Sequence, residues 1–209
     1  NHGIKDFLIC TGYKGEMIKQ YFVNYLNSNS DIEINIKSNS IKFLNKNSED
    51  WNIKIVDTGQ DTNTGGRIKK AEKYLDENFF LTYGDGVSTV DISKSLKFHL
   101  KHKKICTMTV VKQPGRFGAV KLKKNGNVEK FLEKPHGDEG WINGGYFVFN
   151  KKILKYLNKD TILEKKPLES LAKIGELKSF KHDGFWYSLD SLRDKFVLEE
   201  YFKNHGKFY

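Results

Sequence analysis

Asp85 stands between two glycines, in Thr82-Tyr83-Gly84-Asp85-Gly86, at the end of the strand-forming run Phe79-Phe80-Leu81. A glycine on each side lets the chain turn sharply and lets a ligand approach without a Cβ in the way. A carboxylate at the carboxyl end of a strand lies where open α/β sheets bind ligands. Mg2+ suits such a group, because it takes one or two protein carboxylates and fills its other positions with water and substrate phosphates. The competing reading is a tight turn whose Asp only accepts backbone N–H bonds. Asp190, after Phe185-Trp186-Tyr187-Ser188-Leu189, is a second candidate ligand that also has the position of an N-cap for the helix following it.

Cations accompany these carboxylates. The polar loop Asp57–Gly66 leads into a helix through Gly65-Gly66-Arg67, a start that offers N–H donors and positive charge to an anion, with Thr64 as the candidate N-cap. The chain has three arginines, Arg67, Arg116 and Arg193, among a large excess of lysines. Either a planar, multiply donating fork is needed at those places or three arginines fall there by chance. Glu133-Lys134-Pro135 is a charged pair fixed by a proline that cannot extend a strand. Two carboxylates, several cations and glycines that admit close approach suit a phosphorylated substrate bound with a divalent metal. Gly-x-Ser-x-Gly is absent and neither Cys10 nor Cys106 has a reactive motif around it, which favours chemistry by positioning and charge stabilisation, as in phosphoryl or nucleotidyl transfer.

The elements that position these residues alternate between strand and helix. Ile4–Thr11 reads as a strand, Glu16–Leu26 as a helix with Met17, Ile18, Tyr21, Phe22, Tyr25 and Leu26 on its packed face, and Trp51–Val56 as the next strand. Residues 27–50 hold two alternating runs, Ile32–Ile36 and Ile41–Leu44, that predict a hairpin arm, either a subunit contact or a solvated loop with β character. Phe79–Thr82 predicts a strand buried on both faces, as in a parallel sheet. Asp91 caps a helix with Ile92, Leu96 and Leu100 inward, which leaves His99 and His102 on the surface. Strands follow at 105–111, 119–123, 128–132 and 146–149. Two helices come next, then a strand at 177–181, and a last helix turns Leu192, Phe196, Val197 and Tyr201 inward. This pattern predicts an α/β domain with a mostly parallel sheet.

At 209 residues the chain suits one core, so a single domain over 1–209 is expected. No apolar run approaches the roughly 18 residues of a membrane span, and both cysteines read as reduced core residues of a cytoplasmic protein. The net charge of +10 raises nucleic acid as a partner, but the lysines are scattered among asparagines without basic-aromatic alternation, so no nucleic acid and no membrane partner is expected.

The series GIKDFLICTGYKGEMIKQYF, WNIKIVDTGQDTNTGGRIKKA, FLTYGDGV, PGRFGAV, FLEKP, INGGYFVFN and GFWYSLDSLRDK, running in order from Gly3 to Lys195, resembles the sugar-nucleotide pyrophosphorylases. Within them it is most similar to the cytidylyltransferases that join CTP to glucose 1-phosphate. The resemblance implies a Rossmann-like mixed sheet flanked by helices, of the nucleotidyltransferase or glycosyltransferase-A type. It implies that Asp85 and Asp190 hold Mg2+ against the α-phosphate, and that Thr62, Gly65, Gly66, Arg67 and the Gly84 backbone contact the nucleotide. Glu133 would bind sugar hydroxyls and Lys134 the sugar phosphate, while Phe117, Gly118, Asn143 and Gly144 would line the glucose pocket. The product, CDP-glucose, would supply dideoxy sugars of surface polysaccharide.

The family's opening strand, its Gly-Gly-x-Gly-Thr-Arg loop and a downstream Lys-Pro segment have no counterpart here. The expectation is therefore a chain lacking its first βα unit, with little activity by itself. Two other classes stay in view. A nucleotide-sugar glycosyltransferase normally shows Asp-x-Asp and releases a nucleoside diphosphate. A non-catalytic basic nucleic-acid-binding module would bind with strong salt dependence and without need of Asp85. The arm at 27–50 makes a homo-oligomer the expected assembly.

Overall fold

In a computed structural model, which describes residues 2–45, 48–112, 119–122, 128–132 and 140–206, the run Asp6–Thr11 forms strand β1. Helices α1 (Gly15–Val23) and α2 (Tyr25–Asn29) follow, then strands β2 (Ile32–Asn35), β3 (Ser40–Phe43) and β4 (Asn52–Asp57), and helix α3 (Thr64–Lys70). With Tyr156–Lys165 these elements make the first of two compact units. β1 and β4 run parallel, in register from Asp6 opposite Asn52 to Thr11 opposite Asp57. β2 and β3 form the antiparallel hairpin that their alternation predicts, with Ile34 opposite Ile41.

Strand β1 ends at a tightly bonded corner. The Thr11 carbonyl accepts hydrogen bonds from the Thr58 amide, the Thr58 hydroxyl and the Arg67 guanidinium. Gly15, the first residue of α1, is buried so close to this corner that a Cβ there would lie 2.8 Å from Thr11 Cβ. The rest of α1 departs from expectation. The single helix expected over 16–26 breaks at Asn24, and Met17 and Tyr21 are each 59% exposed instead of packed. A two-stranded sheet is too narrow a platform to cover that face. α3 keeps its expected stripe, with Ile68 and Ala71 buried and Leu75, just beyond it, half-buried.

The second unit comprises Leu75–Lys155 and Lys166 onward. Its elements are β5 (Asn78–Thr82), β6 (Gly86–Ser88), α4 (Ile92–His102), β7 (Cys106–Lys112), β8 (Ala119–Leu122), β9 (Val128–Leu132), β10 (Trp141–Asn150), α5 (Lys166–Lys173), β11 (Leu177–His182), β12 (Trp186–Ser188) and α6 (Leu192–His205). Four strands make a mixed sheet in the order β11-β7-β10-β5, with β11 parallel to β7 and β10 antiparallel to both its neighbours. β5 is an edge of this sheet, so Phe79–Leu81 are half-buried rather than enclosed on both faces. The core centres on β7 and β10. Cys106, Val110, Val111, Phe147, Val148 and Phe149 are buried, and the Phe147 and Phe149 rings stack at 5.3 Å. β6 pairs with β12, and β8 with β9, as separate two-stranded ribbons.

Two helices turn a different face inward from the expected one. On α4 the buried residues are Ser95 and His99, whereas Leu100 is 49% exposed. His99 and His102, expected at the surface, both bond the hydroxyl of buried Thr107 on β7, at 2.9 and 2.7 Å. A polar pair on the sheet side of the helix outweighs the apolar stripe, because the buried Thr107 hydroxyl gives both imidazoles a hydrogen-bond partner. On α6, Asp194 and Leu198 are buried while Leu192 and Phe196 stand out at 77% and 66% exposure. The helix begins with Ser191, whose hydroxyl accepts from the Asp194 amide and donates to the carboxylate of buried Asp194.

Candidate active site

Asp85 lies in the turn between β5 and β6, and Asp190 lies just beyond β12. The β6–β12 ladder pairs Trp186 with Ser88, Tyr187 with Val87 and Ser188 with Gly86. One step further, the Leu189 amide donates to the Asp85 carbonyl at 2.8 Å. Two residues more than a hundred positions apart in sequence are thus brought within one ladder step of each other.

Both competing readings of these aspartates can be tested against the geometry. The N-cap of α6 is Ser191, not Asp190. The Asp190 amide donates to buried Asp194 at 3.2 Å, and its carboxylate accepts from the Ser188 hydroxyl at 3.0 Å. Asp194 thereby anchors the residue before the helix. The hydrogen bond from Ser191 holds the Asp194 carboxyl below its ordinary range, against the opposing effect of burial. The Asp85 carboxylate is exposed and, among the described residues, forms no hydrogen bond or ion pair. It does not cap its own turn.

The wall facing Asp85 is built by an irregularity in β10. Asn143 pairs with Val110 and Phe147 with Met108, so four steps along β10 match two along β7. The surplus is Gly144-Gly145, a bulge of the kind that re-aims a strand beside a functional site. Gly145 has φ of +76°, and a Cβ on Gly144 would lie 2.9 Å from Val111 Cγ1. The Asn143 side-chain oxygen accepts from the Gly145 amide at 2.9 Å, which leaves its NH2 group as the donor for a ligand. Asp85, Gly86, Asn143, Gly144, Gly145, Tyr83, Trp186 and Ser188 together line a cleft of about 190 Å³. The predicted sites Asp85, Asn143 and Gly144 therefore share one cleft, with Gly84 next to it in the turn. The sequence reading missed Tyr83, Trp186 and Ser188, whose signal is their adjacency to Gly84-Asp85 and to Leu189-Asp190.

The predicted nucleotide residues Thr62, Gly65, Gly66 and Arg67 belong to the first unit. Asn63, not Thr64, is at the N-cap position of α3, and it makes no capping bond. Thr64 instead donates to Glu164 and accepts from the Leu163 amide. Gly65 and Gly66 are buried beneath residues 157–161. A Cβ on Gly66 would lie 2.2 Å from the Lys159 carbonyl oxygen, and the Gly66 amide already donates to Thr161. Close packing explains both glycines, and the amide expected to face an anion is occupied. The Arg67 guanidinium donates to the Thr11 carbonyl, the Thr58 hydroxyl and the Gln60 carbonyl at 2.9, 2.7 and 3.2 Å. Thr62 donates to the Thr58 carbonyl and accepts from Lys70. In this structure the planar fork binds the corner between β1 and β4. Phe117, Gly118, Glu133 and Lys134, with Arg116, lie outside the described residues.

The sequence profile of the family described as Nucleotidyl transferase matches residues 1–184. The chain belongs to the nucleotidyl transferase family. Within the family, the glucose-1-phosphate cytidylyltransferase of Salmonella typhimurium is 47% identical over 201 residues, which cover 95% of this chain and 78% of the relative. Among solved structures, HddC from Yersinia pseudotuberculosis matches with a TM-score of 0.66 at 20% identity, over 96% of this chain and 80% of that one. A UDP-glucose pyrophosphorylase complexed with UDP-glucose matches with a TM-score of 0.62 at 15% identity, over 98% and 83%. These two share the mixed α/β fold with this nucleotidyl transferase. Among the described residues, no helix is long and apolar enough to cross a membrane.

Proposed function

We propose that the protein transfers the cytidylyl group of CTP to glucose 1-phosphate, releasing pyrophosphate and giving CDP-glucose. The observation that carries this reading is Asp85 in a cleft whose other wall is Asn143 and Gly144, with Asp190 held one ladder step from Asp85, just outside that lining. The identity to the Salmonella enzyme supports the choice of CTP and glucose.

Asp85 and Asp190 fit a divalent cation of the Mg2+ type. Both are exposed carboxylates with hard oxygen donors, and among the described residues no third His, Cys, Asp or Glu completes a protein-only cage. Bound there, Mg2+ would neutralise charge developing on the α-phosphate. The chain's own contribution is to hold the reactants. Asn143 offers its amide donors to sugar hydroxyls, the Gly144-Gly145 bulge leaves room for the ring, and Lys134 meets the sugar phosphate. A phosphate oxygen of glucose 1-phosphate then displaces pyrophosphate in line, and no covalent intermediate on the protein is required.

The test is pyrophosphate release from CTP and Mg2+, with and without glucose 1-phosphate, on the 209-residue chain and on a form extended upstream. Asp85→Asn should lower the rate by about 100-fold or more while leaving the fold intact. In the extended form, an Asp85→Asn rate within threefold of the wild-type rate would refute the site, and absence of pyrophosphate release with any sugar phosphate would refute the reaction. CTP and glucose 1-phosphate as the proposed substrates support a cytoplasmic location for this chemistry. The hairpin, with Ile34 and Ile41 each 53% exposed, supports assembly with further copies of the chain. Unchanged size in solution for Ile34→Lys would argue against that assembly.

A further inference from the structure

Two aromatic side chains that the mechanism does not use tie the walls of the cleft together. Trp186 on β12 donates from Nε1 to the Gly144 carbonyl at 2.8 Å. Tyr146 on β10 donates from its hydroxyl to the Gly86 carbonyl at 2.7 Å. Each acceptor adjoins a residue of the site, Gly144 beside Asn143 and Gly86 beside Asp85. The groups converge at Gly86, where a Cβ would lie 3.7 Å from Tyr146 Cε2 and 3.9 Å from both the Gly144 carbonyl oxygen and Trp186 Nε1.

The surrounding backbone explains why side chains perform this role. β6 and β12 have three residues each and, among the described residues, pair only with one another, and a two-stranded ribbon is marginal without further support. The bulge interrupts the β10–β7 ladder between Asn143 and Phe147, which leaves the Gly144 carbonyl available to the indole. Two parallel routes therefore run from the sugar wall to the carboxylates. One passes from Tyr146 to Gly86 and Asp85. The other passes through Trp186 into β12 and on to Leu189, whose amide holds Asp85, and Asp190. Burial pushes the Tyr146 phenol above its ordinary range, so the donor stays protonated.

We propose that Tyr146 and Trp186 are positioning residues that couple the sugar wall to the Asp85–Asp190 pair, so that sugar-nucleotide binding and divalent-cation binding strengthen one another. The proposal rests on the reading of the site given above. Because coupling between two ligands is reciprocal, it is measurable from either side.

The experiment is calorimetric titration of CDP-glucose into the protein with and without Mg2+, for the wild type, Tyr146→Phe, Trp186→Phe and the double variant, alongside thermal unfolding. In the wild type, Mg2+ should tighten CDP-glucose binding by about fivefold or more, the lower range of ordinary coupling. Each single variant should lower that factor and the double variant should lower it furthest, leaving only the part that comes from direct contact of Mg2+ with the diphosphate, with metal-free affinity changed less than the coupling. Variants that unfold earlier or bind more weakly, yet keep the wild-type Mg2+ factor, would show a merely structural role and overturn the proposal. Coupling in the wild type below about twofold would also overturn it. A wild type that does not bind CDP-glucose at all would instead bring down the functional reading, and the coupling with it.

Discussion

Acidification should loosen the second unit through the two histidines on α4. The Lys104 amide donates to His102 Nδ1 at 2.9 Å, so His102 carries its proton on Nε2 and donates to the Thr107 hydroxyl. Thr107, fully buried, is then free to donate to His99 Nδ1. This chain of bonds requires a neutral His99. Burial, followed by the neighbouring His102, lowers the His99 pKa from 6.5 to about 4. Burial and then Lys178 lower that of His102 as well, while Glu176 opposes the change. Between the native and unfolded values the unfolded chain binds more protons, so stability is complete above about 6.5 and declines as pH falls toward about 4. At about 1.4 kcal/mol per unit the ceiling is about 3 kcal/mol, and solvent screening along a surface helix reduces the expectation to about 1–2 kcal/mol. Urea unfolding of wild type and His99→Asn at intervals from pH 7.5 to 4.5 isolates this contribution. Asn offers an acceptor to Thr107 but does not titrate. If the two proteins lose stability in parallel across that range, His99 is not the group that senses acid and the proton assignment is wrong.

Three further outcomes follow from the packing. Gly144→Ala should destabilise the fold by about 1–3 kcal/mol in urea, because its methyl meets the buried side chain of Val111 at 2.9 Å, and should raise the KM for glucose 1-phosphate more than that for CTP. Gly66→Ala places a methyl 2.2 Å from a backbone oxygen and should cost about 1–3 kcal/mol, read as a lowered urea midpoint without direct loss of catalytic groups. Arg67→Lys should lower Tm by several degrees, since one ammonium cannot replace a fork that bonds Thr11, Thr58 and Gln60; an unchanged Tm with reduced kcat would move Arg67 from scaffold to nucleotide contact.

Local patterns carried much of this architecture. Alternation predicted the β2–β3 hairpin, Asp91 marked the start of α4 by capping Lys94 at 2.9 Å, and Gly-Asp-Gly located the turn that presents Asp85. What stayed hidden depends on partners distant in sequence or on competition between neighbours. Ser191 and Asp190 are both good caps, and only the buried position of Asp194 decides between them. The apolar residues of α4 suggest one inward face, but Thr107 on the next strand selects the face bearing Ser95 and His99. Asn143-Gly144-Gly145 suggests a turn before a strand. The bulge that places these residues beside Asp85 needs the register against β7 and an indole 42 residues away.

The bulge in β10 also limits how this cleft can diversify. Gly145 needs a left-handed backbone, and a side chain on Gly144 would press on Val111, so neither position is free to acquire a new contact with substrate. On the proposed function, variation that alters sugar preference would fall on flanking positions such as Ser188, whose side chain borders the cleft, whereas the Asn143 side chain is tied to the bulge by the bond from the Gly145 amide. A new specificity is therefore most accessible by changing the donors around a fixed backbone scaffold, and mutational libraries aimed at this wall would do best to leave its two glycines alone.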